Sequence, residues 1–242
     1  MKKLGLVITI GLALSGNQAS ADIIYGSGQN VDLSSGYKLD PNWQVVATPQ
    51  GWTAPSSVPY AAFIPQTVPA VYYGGDTGVN GSQGGMTTGG NHYYWLAPDS
   101  DAASLNLSSY NWIVAEQFNV TQAGIYNFDF KGAGDNRITF FINGAVDLTD
   151  AVHPTISGGT QIGNPVDQFG YISDFAGSAY LHAGTNTAYM VMYDYGGSTA
   201  AIIDQATFSP TFSAAPEPAT IALLAIGIPS FFRIRRRKAD IN

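Results

Sequence analysis

Ile125-Tyr126-Asn127-Phe128-Asp129-Phe130 and Arg137-Ile138-Thr139-Phe140-Phe141-Ile142-Asn143-Gly144-Ala145-Val146-Asp147-Leu148 are the two segments from which the chain is best read. In the first, three aromatics alternate with Asn127 and Asp129, the two-residue period of a strand with one buried face. The second places Asn143-Gly144 between two apolar runs. Asn-Gly tolerates the positive φ of a two-residue turn, so a hairpin is predicted here. Around these segments, Trp112 to Val120 is rich in β-formers. Ala179 to His182, Ala188 to Tyr195 and Ala200 to Phe208 follow, divided by Ala183-Gly184-Thr185-Asn186 and Gly196-Gly197. No long 3.6-residue period appears. An all-β sandwich or barrel is predicted, in one domain.

The first third is less regular. Six prolines fall between Pro41 and Pro69, which predicts irregular or edge segments there. Gly74 to Gly90 holds eight glycines in 17 residues and reads as a loop. No G-K-[ST] follows it, so it does not cradle phosphate.

The chain has 242 residues, and its two ends differ in kind from the 192-residue body at 22–213. Met1-Lys2-Lys3 is positive, Leu4 to Leu14 is apolar, and Ala19-Ser20-Ala21 places small residues before Asp22. This is the pattern of a signal peptide over 1–21, read by Sec-type export machinery and cut by signal peptidase between Ala21 and Asp22. At the other end, Pro216-Glu217-Pro218 precedes an apolar run, Ala219 to Phe232, and then Arg233, Arg235, Arg236, Arg237 and Lys238. Fourteen residues make roughly 21 Å of helix against a hydrocarbon core of roughly 30 Å. That is a marginal transmembrane helix, with the basic cluster held on the cytoplasmic side. The two prolines keep the segment just outside the membrane extended, where a protease finds it.

Residues 214–242 resemble the PEP-CTERM sorting signal of Gram-negative bacteria, with the tripeptide at Pro216, Glu217 and Pro218. The resemblance implies an exosortase-like membrane enzyme as partner, transient anchoring in the inner membrane, and release to the cell surface or beyond. Carriers of this signal often accompany exopolysaccharide, hence biofilm. The body is similar, over about 110–208, to a galactose-binding-like jelly roll of the carbohydrate-binding-module type. Gly124-Ile125-Tyr126, Asp135-Asn136, Asn143-Gly144, and Gly184-Thr185-Asn186-Thr187 leading into Tyr189-Met190-Val191 carry that likeness. It implies a jelly-roll β-sandwich that meets polysaccharide.

Charge narrows the partners. The whole chain has a formal net charge of −7, yet the body keeps three cations (Lys38, Lys131, Arg137) against fifteen acids, a net −12. Such a body repels nucleic acid. With no cysteine, disulfides and thiolate metal sites are excluded. His92, His153 and His182 have no zinc spacing. Gly26-Ser27-Gly28 and Gly197-Ser198 read as loops rather than nucleophile turns. Asp135 and Asn136 either cap a turn or supply oxygens to Ca²⁺; no other cofactor is expected. For a sugar face, stacking candidates are Tyr93, Tyr94 and Trp95, with Trp43, Trp52 and Tyr72-Tyr73 behind them. The reading is an exported, non-catalytic surface or matrix protein. One alternative is a secreted carboxylate-dependent glycan hydrolase using Glu116; another is an adhesive protein that binds other proteins.

Overall fold

The computed structural model describes residues 23–29, 38–52, 58–64, 85–88, 91–98, 109–166, 172–195 and 200–211. The signal segment, most of the glycine-rich loop and the whole sorting segment lie outside them. Fourteen strands account for the regular structure of the described residues: β1 Lys38–Ala47, β2 Tyr60–Ile64, β3 Gly85–Thr88, β4 Asn91–Tyr94, β5 Tyr110–Val120, β6 Gly124–Asp135, β7 Arg137–Ile142, β8 Ala145–Asp147, β9 Thr155–Ser157, β10 Thr160–Val166, β11 Ser173–Leu181, β12 Gly184–Asp194, β13 Ala200–Ile203 and β14 Thr207–Pro210. The fold is all-β, as the alternation predicts. Among the described residues no helix is long and apolar enough to cross a membrane.

A six-stranded sheet has the order β10-β7-β12-β5-β1-β2, and a smaller one the order β11-β6-β13, with β14 also on β6. Pairings within both are antiparallel. From β5 onward the chain keeps changing sheets: β5 is in the large one, β6 in the small, β7 in the large, β11 in the small and β12 in the large. Each connection therefore closes the sandwich instead of extending a flat meander. Between the sheets, the inward residues of β5 (Tyr110, Trp112, Val114, Phe118, Val120) meet Tyr126, Phe128 and Phe130 of β6. The predicted alternation in β6 is thus its core face. Phe130 stacks on Phe175 with centroids 5.1 Å apart and planes at 4°.

Two predictions about local structure are corrected. Asn143 and Gly144 do have positive φ, 58° and 98°. They do not turn a hairpin, because β7 is already paired on both edges, to β12 and to β10. Instead the β7–β10 pairing runs on through a bend. Ile142 faces Thr160, and three residues later Ala145 faces Ser157, in the same register. The bend is where Asn143-Gly144 opposes Gly158-Gly159. A Cβ on Gly144 would lie 2.7 Å from the Gly159 nitrogen, so the strands cross with no room for a side chain. Beyond it, β8 and β9 fold over the outside of the large sheet. There Ile156 and Val146 pack on Ala47, Ile113 and Val191.

The second correction concerns Pro41. It lies in β1, an interior strand of the large sheet. The β1–β2 register breaks between Leu39 and Gln44, and β5 pairs with β1 only from Gln44 onward. Pro41 sits inside that break, where no ladder bond is asked of it.

Candidate functional site

The residues of the large sheet that point away from the core make a concave surface. Gln44 and Val46 come from β1, Ala115 and Gln117 from β5, and Thr187 and Tyr189 from β12. Register brings them side by side, with Gln44 opposite Ala115, Ala115 opposite Tyr189, and Gln117 opposite Thr187. Val146 of the folded-back ribbon rises at one side. Tyr25, Pro41, Asn42 and Pro59 rise at others, enclosing about 450 Å³. The polar groups are amides, hydroxyls and the carboxyl residue Glu116, and among the described residues no lysine or arginine lines the space.

Tyr25 is there because residues 23–29 are strapped across the sandwich. Ile24 bridges Ala206, the Tyr25 carbonyl accepts the Trp43 indole N–H at 2.9 Å, and Ser27 Oγ donates to the Ile203 carbonyl at 3.1 Å. A Cβ on Gly26 would fall 2.0 Å from a Tyr93 ring carbon, so glycine alone lets the strap pass beneath that ring. Two buried carboxylates hold its underside. The Tyr25 N–H points at both oxygens of Glu116, 3.0 and 3.1 Å away. Asp40 accepts from the N–H groups of Gly28 (2.6 Å), Asn42 (2.7 Å) and Trp43 (2.8 Å). Burial pushes Glu116 up to about 8, against the pull of the Tyr25 N–H and with a smaller push from Asp40. Burial raises Asp40 too, and its three backbone N–H bonds oppose the rise.

Of the aromatics expected to stack on sugar, Tyr72 and Tyr73 lie outside the described residues and the others do not line this surface. Tyr93 and Trp95 are 2% and 1% exposed and pack with Ala133 and Ile202. Tyr94 is partly buried against the main core, as is Trp52, and Trp43 is fully buried. The faces of Tyr93 and Trp95 touch protein, because β4 and the residues just after it lie against the small sheet. Tyr25 and Tyr189 take their place; Tyr189 entered the sequence reading only as part of a strand start, and Tyr25 not at all.

Asp135 and Asn136 stand at the crossing from β6 to β7. The Asn136 amide donates to Asp135 Oδ1 at 2.9 Å, and its own oxygen accepts the Tyr195 N–H at 2.7 Å. This is turn bonding. Among the described residues, no three His, Asp or Glu side chains gather as a metal site would require. Ser27 is fully buried, and His182 is exposed with its ring edge-on to Tyr180, 5.2 Å away. A smaller hollow on the other sheet, about 340 Å³, is lined by Asp129, Lys131 and Asp204 among others. Asp204 accepts the Lys131 N–H at 2.7 Å, and burial lifts its carboxyl to about 6.

No protein-family model matches the chain, and no curated protein matches it. Solved structures similar to it include the CBM35 from Paenibacillus barcinonensis, at 13% identity over 75% of this chain and 98% of that one, TM-score 0.28. A Xyl-CBM35 in complex with a glucuronic acid containing disaccharide aligns at 9% identity over 74% of this chain and 95% of that one, TM-score 0.34. A ruminal GH26 endo-beta-1,4-mannanase aligns at 20% identity and TM-score 0.27, over 45% of this chain, which spans only 20% of that enzyme.

Proposed function

We propose that this is an exported glycan-binding protein of the bacterial surface or extracellular matrix, and that the concave outer face of its large sheet holds a neutral sugar without turning it over. The observation that carries this reading is the makeup of that surface. Tyr25 and Tyr189 offer aromatic area beside Asn42, Gln44, Gln117 and Thr187. A sugar ring has apolar C–H faces and an equatorial rim of hydroxyls, so aromatic faces with amides and hydroxyls suit it. Neutral glycans are favoured over uronic or sulfated ones, since no cation lines the space among the described residues and the body carries a net −12. The full chain should be retarded in native gels containing neutral polysaccharides, and Tyr189→Ala should remove most of the retardation. Equal migration with and without every neutral glycan tried, alongside capture of other proteins, would favour the adhesive alternative.

Export and sorting rest on the two ends of the sequence. The signal peptide sends the chain through Sec-type machinery. The PEP-CTERM-type segment holds it in the inner membrane until an exosortase-like enzyme cuts near Pro216-Glu217-Pro218. Such sorting fits a role beside exopolysaccharide. Mass spectrometry of surface material from the native host checks it: the released protein should lack the peptide bearing Arg235, Arg236 and Arg237, and finding that peptide would make the segment a plain anchor.

The hydrolase reading has one observation in its favour, a glutamic acid raised to about 8 among the residues that line the concavity. Glycoside hydrolysis needs a second carboxylate facing the bond to be broken. The carboxylate beside Glu116 is Asp40, which is 1% exposed and committed to three backbone N–H groups. Glu116 therefore reads as the fastening of the strap.

A further inference from the structure

At the start of β5, Ser109 meets two residues of a turn some forty positions further on. Ser109 Oγ lies 3.0 Å from His153 Nε2. On the other side of the ring, His153 Nδ1 lies 2.9 Å from Asp150 Oδ2. The second oxygen of Asp150 accepts the N–H groups of Val152 (2.9 Å) and His153 (3.1 Å), fixing the turn that carries both residues. The turn is tied to two neighbours, by Gln50 N–H to the Ala151 carbonyl at 2.6 Å and by Asn111 N–H to the Val152 carbonyl at 3.0 Å. The imidazole stacks on Tyr193, centroids 5.9 Å apart and planes at 17°. Tyr195 stands edge-on to Tyr193 at 5.0 Å and is 56% exposed.

The order of atoms matters more than the closeness. A carboxylate on Nδ1 holds the N–H on that nitrogen and leaves the lone pair on Nε2, where the serine hydroxyl sits. Asp150 is held below the usual carboxylate range, chiefly by its hydrogen bond with His153. It is therefore ionised at neutral pH, as an orienting group must be.

We propose that Ser109, His153 and Asp150 form a nucleophilic serine site that hydrolyses short acyl esters, with Tyr193 and Tyr195 as the shelf for the alcohol portion. Ser109 Oγ attacks the ester carbonyl carbon while His153 Nε2 takes the hydroxyl proton. The C–O bond to the alcohol then breaks, and His153 returns the proton to the leaving oxygen. Water next attacks the acyl-serine, giving one proton to His153. The carboxylic acid departs as Ser109 recovers that proton. Asp150 is a positioning residue throughout. An exposed tyrosine shelf suits an alcohol portion that is a sugar ring, so an acylated sugar is the substrate class. The site is separate from the sheet concavity and does not depend on glycan binding there.

The full chain, treated with a fluorophosphonate probe and digested, should carry the label on Ser109. Labelling rate and p-nitrophenyl acetate turnover should fall by about 100-fold or more in His153→Ala, and turnover should vanish in Ser109→Ala. Asp150→Asn should cost about tenfold or more while its circular dichroism stays that of the wild type. Absence of label on Ser109 in the wild type overturns the proposal, whatever the variants do. So does labelling that proceeds at the same rate in folded His153→Ala, which would make the trio a clasp for the turn.

Discussion

A β-sandwich has two outer faces, and here they have been treated differently. The outer face of the small sheet carries short polar and charged side chains that stand in solvent: Asn127 and Asp129 on β6, Asp174 and Ser178 on β11. They pair with one another across strands, Ser178 with Asn127 at 2.6 Å and Lys131 with Asp174. The outer face of the large sheet is walled, by the folded-back ribbon and by the strap. Both faces have the same alternation in sequence. What makes the hollow of the large sheet the larger of the two is chain that arrives from elsewhere, so it should fail when those additions fail.

The largest effect should come from the ribbon. Gly144→Val places a branched side chain at φ 98° and a Cβ 2.7 Å from the Gly159 nitrogen. A loss of about 3 kcal/mol or more in urea unfolding is expected, because the crossing cannot relax without moving the ribbon. An unchanged midpoint would mean that the ribbon is an ornament on the sheet.

Next is the fastening of the strap. Glu116 has a folded pKa of about 8, above its ordinary 4.5. Folding thus favours the protonated form, a contribution complete below about 4.5 and lost as the pH rises through about 8. Asp204, lifted to about 6, acts in the same direction from about 3.8 upward. Melting temperature should fall by several degrees from pH 5 to pH 8.5, and Glu116→Gln should flatten most of that slope. A melting temperature that rises over this range contradicts the buried, proton-favouring site.

A smaller effect compares the faces directly. Tyr189→Ala should weaken binding to a neutral glycan by about tenfold, some 1.4 kcal/mol, whereas Tyr180→Ala, on the small sheet and 53% exposed, should leave it unchanged. Equal losses in both variants would remove the distinction between the faces. The least change is expected from Lys131→Ala. Its ion pair with Asp174 is exposed on both sides, and such pairs contribute within about 1 kcal/mol.

Much of the sandwich was legible because strands write their burial in a two-residue period. Tyr126, Phe128 and Phe130 gave the core face of β6, and β5 and β12 read almost as plainly. What stayed hidden depends on neighbours. Asn143-Gly144 specifies a pair of backbone angles, which serve a bend in a ribbon as well as the tip of a hairpin; only the occupied edges of β7 decide which. Pro41 argues against an interior strand unless the ladder is broken at that point, and the break is a property of the pairing. Tyr93 and Trp95 look like a platform until β4 is laid against the small sheet. Ser109 and His153 are 44 residues apart, so no local pattern joins them, and His153 drew notice only for its lack of zinc spacing.

The bridge between Ile24 and Ala206 bears on the order in which the molecule can be completed. A chain made or threaded from its N-terminus presents the strap first, yet the strand end that receives it comes last. Until Ile203 and Ala206 are present, Ser27 has no carbonyl to bond, and Glu116 has been buried on behalf of a segment still waiting. Closing a loop of that length is a slow, entropically costly event. The body is thus a clasp whose two halves are the first and last pieces delivered, and every intermediate length of chain is left open.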